Sequence, residues 1–474
     1  MAISAIVEPN VTTPAYNPVT WWVDSTNKNE TGFKYVIDVY NAAGTKIAEY
    51  RVAPRIDDGY GVIDLSKLLQ SQVTKDLNLA STTYYDASNS YFEYDVDFGE
   101  EYNTSTAYTG FVDSGTITGL DSDYVALQVA SHSYVIGDQI NVTETVTTNA
   151  LINGLHTVID VDSTHVVIDV LYADLVSPSS TAGEIIYADN RKSITRSLLT
   201  KSSFYVWNGV IPWLEFRTYQ DSQFTSGAAF MTNVPDNFRI STTADAFVHW
   251  KPDATATRRL FFENSNGDTF YKDVTSLSGE WIVGASCGAG NLGTLTLVSG
   301  SAPLVQSDTD WYDVTLVDGS NVAVSSSIRF YIDRTCNIED FEILFMDRLG
   351  SWMPFSFQLN AFESGTITKS EYNQDNQGSA SGTDWTYETT DRGMKVLTVY
   401  VSKQFTLNTN WMTLEMNQYF EELLTSPETY IKIDDVYQAC IIKETSFETV
   451  RQRGKKLIRK TIKVELANRD SING

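Results

Sequence analysis

Hydrophobic and polar residues alternate with a period of two over much of the chain. Phe33-Lys-Tyr-Val-Ile-Asp-Val-Tyr40 sets Phe33, Tyr35, Ile37 and Val39 on one face of a strand, and Thr45 to Val52 returns as its partner after the turn Asn41-Ala-Ala-Gly44. Asp57-Asp-Gly-Tyr-Gly61 reads as a second turn. Leu65, Leu68, Leu69 and Val73 form the stripe of a short helix that Asp64 or Ser66 can cap. Phe92 to Phe98, Phe204 to Trp207 and Trp213 to Tyr219 read as further strands. Residues 111–188 interrupt this unit. Ser133 to Val142 gives strand, turn, strand; Asn153-Gly154 is a tight-turn pair; His156 to Val161, His165 to Leu171 and Gly183 to Tyr187 are short strands. So many short strands in so little chain predict a small inserted β-barrel.

From residue 235 to 335 strand candidates recur at sandwich-like spacing: Ala246 to Lys251, Arg259 to Glu263, Thr269 to Val274, Thr294 to Val298, Trp311 to Val317 and Ser327 to Ile332. Beyond 336 the pattern changes. Phe341 to Met346 is an apolar run, Trp352 to Phe357 is aromatic, and Gln374 to Thr383 is a Gly/Ser/Asn-rich loop. Met394 to Val401 is a strand. Met416, Tyr419, Phe420, Leu423 and Leu424 mark the best helix of the chain, Thr413 to Thr425, which Pro427 stops. A hairpin follows, Tyr437 to Phe447 with Leu457 to Leu466. The predicted fold class is all-β. Its expected domains are a β-sandwich from 1–110 plus 189–234, the inserted barrel at 111–188, a second sandwich at 235–335, and a strand–helix–hairpin assembly domain at 336–474. Helix should cover roughly a tenth of the chain against the usual third.

Composition agrees with this pattern. The 474 residues are too many for one core. Charged residues make up 20% and aromatics 12%, which fits folded pleated surfaces better than a disordered acidic chain. The net charge of −26 repels phosphate backbones and anionic lipid, which weighs against sequence-specific nucleic-acid binding and membrane docking. Cys287, Cys336 and Cys440 are too few and too scattered for a disulfide framework or a zinc site, and point to a reducing place of synthesis. The N-terminus lacks the basic region of a signal peptide, and no apolar run is long enough to span a bilayer as a helix.

Candidate chemistry is sparse. Cys287-Gly-Ala-Gly-Asn-Leu-Gly293 contains a literal G-x-G-x-x-G. It leads into Thr294 to Val298, a strand pattern, whereas a dinucleotide loop leads into a helix, so a glycine turn is the better reading. The pairs Asp95/Asp97, Asp160/Asp162 and Asp308/Asp310 lack EF-hand spacing and read as loop-edge carboxylates. His132, His156, His165 and His249 are scattered, and Cys440 lies in an apolar strand as a buried thiol. Trp21-Trp22 and Tyr205-Val-Trp207 read as sandwich core in preference to sugar platforms. No catalytic, cofactor-binding or metal-ligating residue is singled out, no cofactor is expected, and the chain reads as a non-enzyme. The basic run from Arg451 to Lys463 breaks the acidic trend. It predicts pairing with an acidic neighbour, including another copy of the chain. The expected oligomer interface is therefore Arg451, Arg453, Lys455 and Lys456 with Tyr419 and Phe420 of the helix.

Three stretches carry a resemblance. Gly32-Phe-Lys-Tyr-Val-Ile-Asp-Val-Tyr40 is followed by Gly59-Tyr-Gly-Val-Ile-Asp-Leu65. Tyr331-Ile-Asp-Arg-Thr-Cys336 leads to Phe345-Met-Asp-Arg-Leu-Gly-Ser-Trp-Met-Pro-Phe355. Glu422-Leu-Leu-Thr-Ser-Pro-Glu-Thr-Tyr430 precedes Val464-Glu-Leu-Ala-Asn468. Together they resemble structural, tail-associated proteins of phages and prophages of Bacteroides-type bacteria, including crAss-like phages, over most of the chain. The resemblance implies a virion role in the tail, neck rings, portal–tail connector or baseplate. Its expected partners are copies of the chain in a cyclic homo-oligomer and other tail or neck proteins, after assembly in the host cytoplasm. The competing expectation is a tail fibre or adhesin that binds host surface glycans.

Overall fold

The computed structural model describes residues 3–30, 32–103, 108–109, 112–114, 123–129, 132, 134–144, 151–174, 183–187, 192–220, 229–236, 238–252, 258–274, 282–334, 341–359, 361–374, 378–386, 388–390, 393–444, 458–468 and 470–473. The chain is all-β and multidomain. Among the described residues its α-helices are Ser66–Gln70, Trp213–Phe216 and Leu414–Thr425. It divides into two compact units: Met1–Pro9, Thr20–Asp64 and Glu93–Phe204 form the first, and Asn10–Val19, Leu65–Phe92 and Tyr205–Gly474 the second.

In the first unit, Lys34–Asn41 is a central strand. It pairs antiparallel with Lys46–Val52, Ile37 opposite Tyr50, and with residues 94–101, Ile37 opposite Phe98. Tyr35, Ile37 and Val39 are buried as their alternation predicts. Asp38 is also buried, and its carboxylate accepts from Lys46 Nζ at 2.9 Å and Arg196 Nη1 at 2.5 Å, the pairing a buried charge requires. Trp21 packs edge-on against Phe204, with ring centroids 4.8 Å apart, so the core reading of this tryptophan holds.

The inserted segment forms one antiparallel sheet of seven strands: Val112–Ser114, Tyr124–Gln128, His165–Leu171, Gly154–Val161, Gln139–Glu144, Gly183–Tyr187 and Tyr108–Thr109 in spatial order. It wraps its own core of Val125, Leu127, Ile140, Val158 and Ile168. Its two outermost strands do not pair with each other among the described residues. The sheet begins a few residues before the expected boundary at 111.

The second unit has two main sheets. One orders Phe238–Ser241, Ile328–Asp333, Trp311–Asp318, Arg258–Asn264, Thr269–Val274 and Thr296–Ser299. The longer one runs from Phe362–Asn373 through Met394–Asn408, Thr461–Leu466, Val436–Ile442, Thr429–Ile433, Phe341–Met346, Trp352–Phe357, Phe247–Trp250 and Val283–Ser286 to Tyr84–Asp86. Phe341–Met346 is apolar except for Glu342 because both its faces are covered. Ile343 and Phe345 enter one core cluster, and Leu344 and Met346 enter another with Trp207, Phe247 and Trp352. The G-x-G-x-x-G segment crosses this unit as a tight loop: a Cβ at Gly288 would lie 2.3 Å from Ala246 N and one at Gly290 2.4 Å from Thr243 O.

Three expectations change. The division at 335/336 falls inside one core, in which Phe238, Phe262 and Tyr312 pack with Phe345, Phe405 and Val464. Residues 205–234 group with this second unit, apart from the first sandwich. Trp213 to Tyr219, expected as a strand, opens as the helix Trp213–Phe216: Pro212 precedes it and its carbonyl accepts from Glu215 N and Phe216 N, both at 2.9 Å.

Candidate assembly surface

The strand Phe362–Asn373 pairs along its whole length with Met394–Asn408, from Phe362 opposite Thr406 to Asn373 opposite Met394. All 12 residues of the first strand are exposed, so it is a ribbon edge with little packed on it; on its far side Met394–Asn408 pairs with Asp470–Asn473 over 398–401 and with Thr461–Leu466 over 404–408. It spans roughly 40 Å at the usual rise per residue. Phe362–Asn373 lies at the end of the sheet, so its outer row of backbone donors and acceptors faces no described strand.

Register sorts the ribbon's side chains. Ile367 sits opposite Val401, Lys369 opposite Val399 and Gly365 opposite Lys403, which places an apolar, lysine-flanked surface on one face. Thr368 opposite Tyr400, Thr366 opposite Ser402 and Ser370 opposite Thr398 make the other face hydroxyl-rich. Ile367 is 61% exposed, Met394 60%, Leu397 52% and Tyr372 44%. The two strands as far as Phe405 carry three lysines and two glutamates in a chain whose net charge is −26. A long, flat, apolar sheet edge is a template for pairing unless something covers it, and folded proteins blunt such edges.

The residues expected at the interface lie elsewhere. Arg451, Arg453, Lys455 and Lys456 are outside the described residues. Tyr419 and Phe420 are 3% and 1% exposed, and this corrects their expected role. The Tyr419 ring packs 5.5 Å from Phe238 and 5.4 Å from Phe345, and Phe420 lies 5.1 Å from Phe355. The helix stripe is consumed by its own unit. The ribbon's first strand was not among the predicted strands. Its signal was present: β-branched Thr366-Ile-Thr368 and Leu397-Thr-Val-Tyr-Val401 flank the Gly/Ser-rich segment as two arms of a hairpin.

The aspartate pairs serve local structure. Asp97 accepts from the hydroxyls of Ser197 and Thr200, both at 2.6 Å, Asp162 closes the turn to Thr164 and His165, and Asp308 accepts from Asn266. His156 and His165 bond separately, to Asp169 and Asp162. Among the described residues no group of three or more His, Cys, Asp or Glu is placed to hold a metal ion. None of the described helices is long and apolar enough to cross a membrane.

Two buried carboxyl pairs escaped sequence reasoning, since acidic residues in apolar strands carry no spacing signature. Asp347 and Glu422 line a cavity of about 240 Å³ with Tyr16, Val210 and Met346. Burial, and next the Glu422 charge, push the Asp347 carboxyl well up. Its oxygens are already occupied: Oδ1 accepts from Leu349 N and Ser351 N, each at 3.0 Å, and Oδ2 from the Thr232 hydroxyl. That arrangement holds the turn before Trp352. Glu342 and Asp245 form the second pair, bridged by Lys432 and Tyr437.

No protein-family model matches the chain, and no curated protein matches it. Among solved structures it is similar to the phage phi92 endosialidase at 10% identity and a TM-score of 0.16, over 95% of this chain and 63% of that one. It is similar also to a tetra-tandem repeat from the extending region of a large adhesion protein, at 11% identity and a TM-score of 0.15, over 85% of this chain and 94% of that one. Likenesses this low assign the chain neither a family nor an activity.

Proposed function

We propose that this chain is a non-enzymatic structural component of a tailed-phage virion that assembles with copies of itself through the exposed ribbon. The ribbon carries the reading. The outermost strand of the long sheet keeps an exposed face and a long free edge uncovered along all of Phe362–Asn373. Its occupant is a second copy: the free edge of Phe362–Asn373 is open to pairing along its whole length, and Ile367 and Val401 give the face beside it an apolar centre for the body of the next copy. A ribbon-to-body contact is head-to-tail, and such contacts close into rings when the rotation per step divides a full turn. That geometry suits a neck, connector or tail ring, and the sequence resemblance to tail-associated proteins points to the same place.

The test is the mass of the purified full chain in solution, before and after Ile367→Glu with Val401→Glu. The wild type should form oligomers, and the double variant should stay monomeric while still unfolding in one cooperative transition. Mass spectrometry of purified particles of the phage that encodes the chain should find it in many copies. A wild-type chain that is monomeric at every concentration and missing from particles would refute the reading.

A further inference from the structure

A groove of about 490 Å³ opens in the second unit, separate from the ribbon faces. Phe355, Met412 and Met416 line it as apolar residues, and Trp411 stands beside them with 61% of its surface exposed. The Asn410 amide is fixed in place: its Nδ2 donates to Gln358 Oε1 at 3.3 Å, and its Oδ1 accepts from Trp411 N at 2.8 Å. Three further polar groups lining the groove have no protein partner among the described residues: Ser356 Oγ, which is shielded from solvent, Gln358 Nε2, and the exposed guanidinium of Arg239. Thr413, at the start of the helix, already accepts from Met416 N at 3.2 Å, so the helix terminus is not waiting for an anion.

We propose that this groove binds a saccharide, with one pyranose ring stacked on the Trp411 indole and its hydroxyls bonded to Gln358, Asn410 and Arg239. A sugar presents an apolar C–H face and a rim of hydroxyls that both donate and accept. An exposed indole that shares its groove with the Gln358 amide and the Arg239 guanidinium, both with spare bonding capacity, matches both. The amide pair Asn410–Gln358 orients the donors before binding, which lowers the cost of ordering them. A peptide would instead need a free strand edge or repeated apolar subsites, and of the aromatic residues lining the groove, Tyr331, Phe355 and Trp411, Trp411 is the exposed one. The site is independent of the assembly reading, since none of its residues lies on the ribbon faces.

The full-length protein should be titrated with lactose, maltotriose, chitobiose and laminaribiose, followed by saturation-transfer NMR and tryptophan fluorescence. At least one of these should bind saturably. Trp411→Ala and Gln358→Ala should each weaken it by about tenfold or more while leaving the melting temperature unchanged, and the ribbon variant Ile367→Glu should bind as the wild type does. If none of the four sugars binds, or if binding survives Trp411→Ala, the proposal is overturned.

Discussion

Tyr437 donates its hydroxyl proton to Glu342 Oε1 at 2.8 Å, inside a cluster where Lys432, Asp245 and Ser241 face the same carboxyl. Burial pushes the Glu342 carboxyl up to about 7, so the folded chain holds this proton more tightly than the unfolded chain does. The stability this gives is complete below the unfolded glutamate value and is lost as pH rises through about 7, a change of up to roughly 3 kcal/mol. Asp245 and Asp347 are shifted in the same direction by burial, so they add to the effect. Urea unfolding should therefore show a higher midpoint at pH 5 than at pH 8, and Glu342→Gln should narrow the difference. An unchanged gap in the variant would mean that Glu342 ionises freely in the folded chain.

Gly288 and Gly44 separate two uses of glycine. At Gly44 the backbone has φ +75°, with nothing within 4 Å of a new Cβ. Gly44→Ala should then cost only the strain of a left-handed backbone, about 1 kcal/mol. At Gly288 a Cβ would meet the Ala246 nitrogen at 2.3 Å, and backbone cannot swing aside as a side chain can. Gly288→Ala should cost more than about 2 kcal/mol. Thermal unfolding of both variants checks the order, and equal losses would contradict the close crossing of the two segments.

Phe420 and Ile367 give the matching contrast between core and surface. Phe420 is 1% exposed among Phe355 and Phe357, so Phe420→Ala should destabilise the chain by about 3–5 kcal/mol. Ile367→Glu on the ribbon should change stability by less than about 0.5 kcal/mol. Denaturant melts measure both effects, and solution mass reports whether each variant still assembles. If Phe420→Ala left stability intact and dissolved the oligomer, the helix would be an interface after all.

The contrast shows what was legible in the sequence. Period-two alternation located Lys34–Asn41 and Arg258–Asn264 closely, and the i, i+3, i+4 stripe located Leu414–Thr425. Such patterns report that a face is buried but not what buries it. Tyr419 and Phe420 would look the same docked on another subunit as they do on Phe238 and Phe355. The strand Phe362–Asn373 is exposed on both faces, so it has no alternation to read. The shared core of 235–335 and 336–474 comes from pairings such as Phe247 with Trp352, which link residues far apart in the chain and leave no local trace. The groove at Trp411 is likewise assembled from distant segments, Arg239, Ser356 and Asn410 among them.

Lys272 sets up the opposite pH dependence to Glu342. It is 5% exposed, and its ammonium donates to Thr82 O at 2.9 Å, Ser286 O at 3.0 Å and Ser286 Oγ at 2.9 Å, all of them uncharged. Three acceptors satisfy its hydrogens but do not neutralise its charge, and burial lowers its pKa to about 8. Between about 8 and the unfolded lysine value the unfolded chain holds a proton that the folded chain has released. Stability from this group should therefore rise with pH across that window, by up to roughly 3 kcal/mol. Lys272→Met removes the titrating group and leaves the three acceptors to find other donors. Unfolding midpoints at pH 7.5 and pH 10 should show the wild type gaining ground on the variant at the higher pH. A constant offset between the two proteins at both values would mean that the ammonium is as well solvated in the fold as in water.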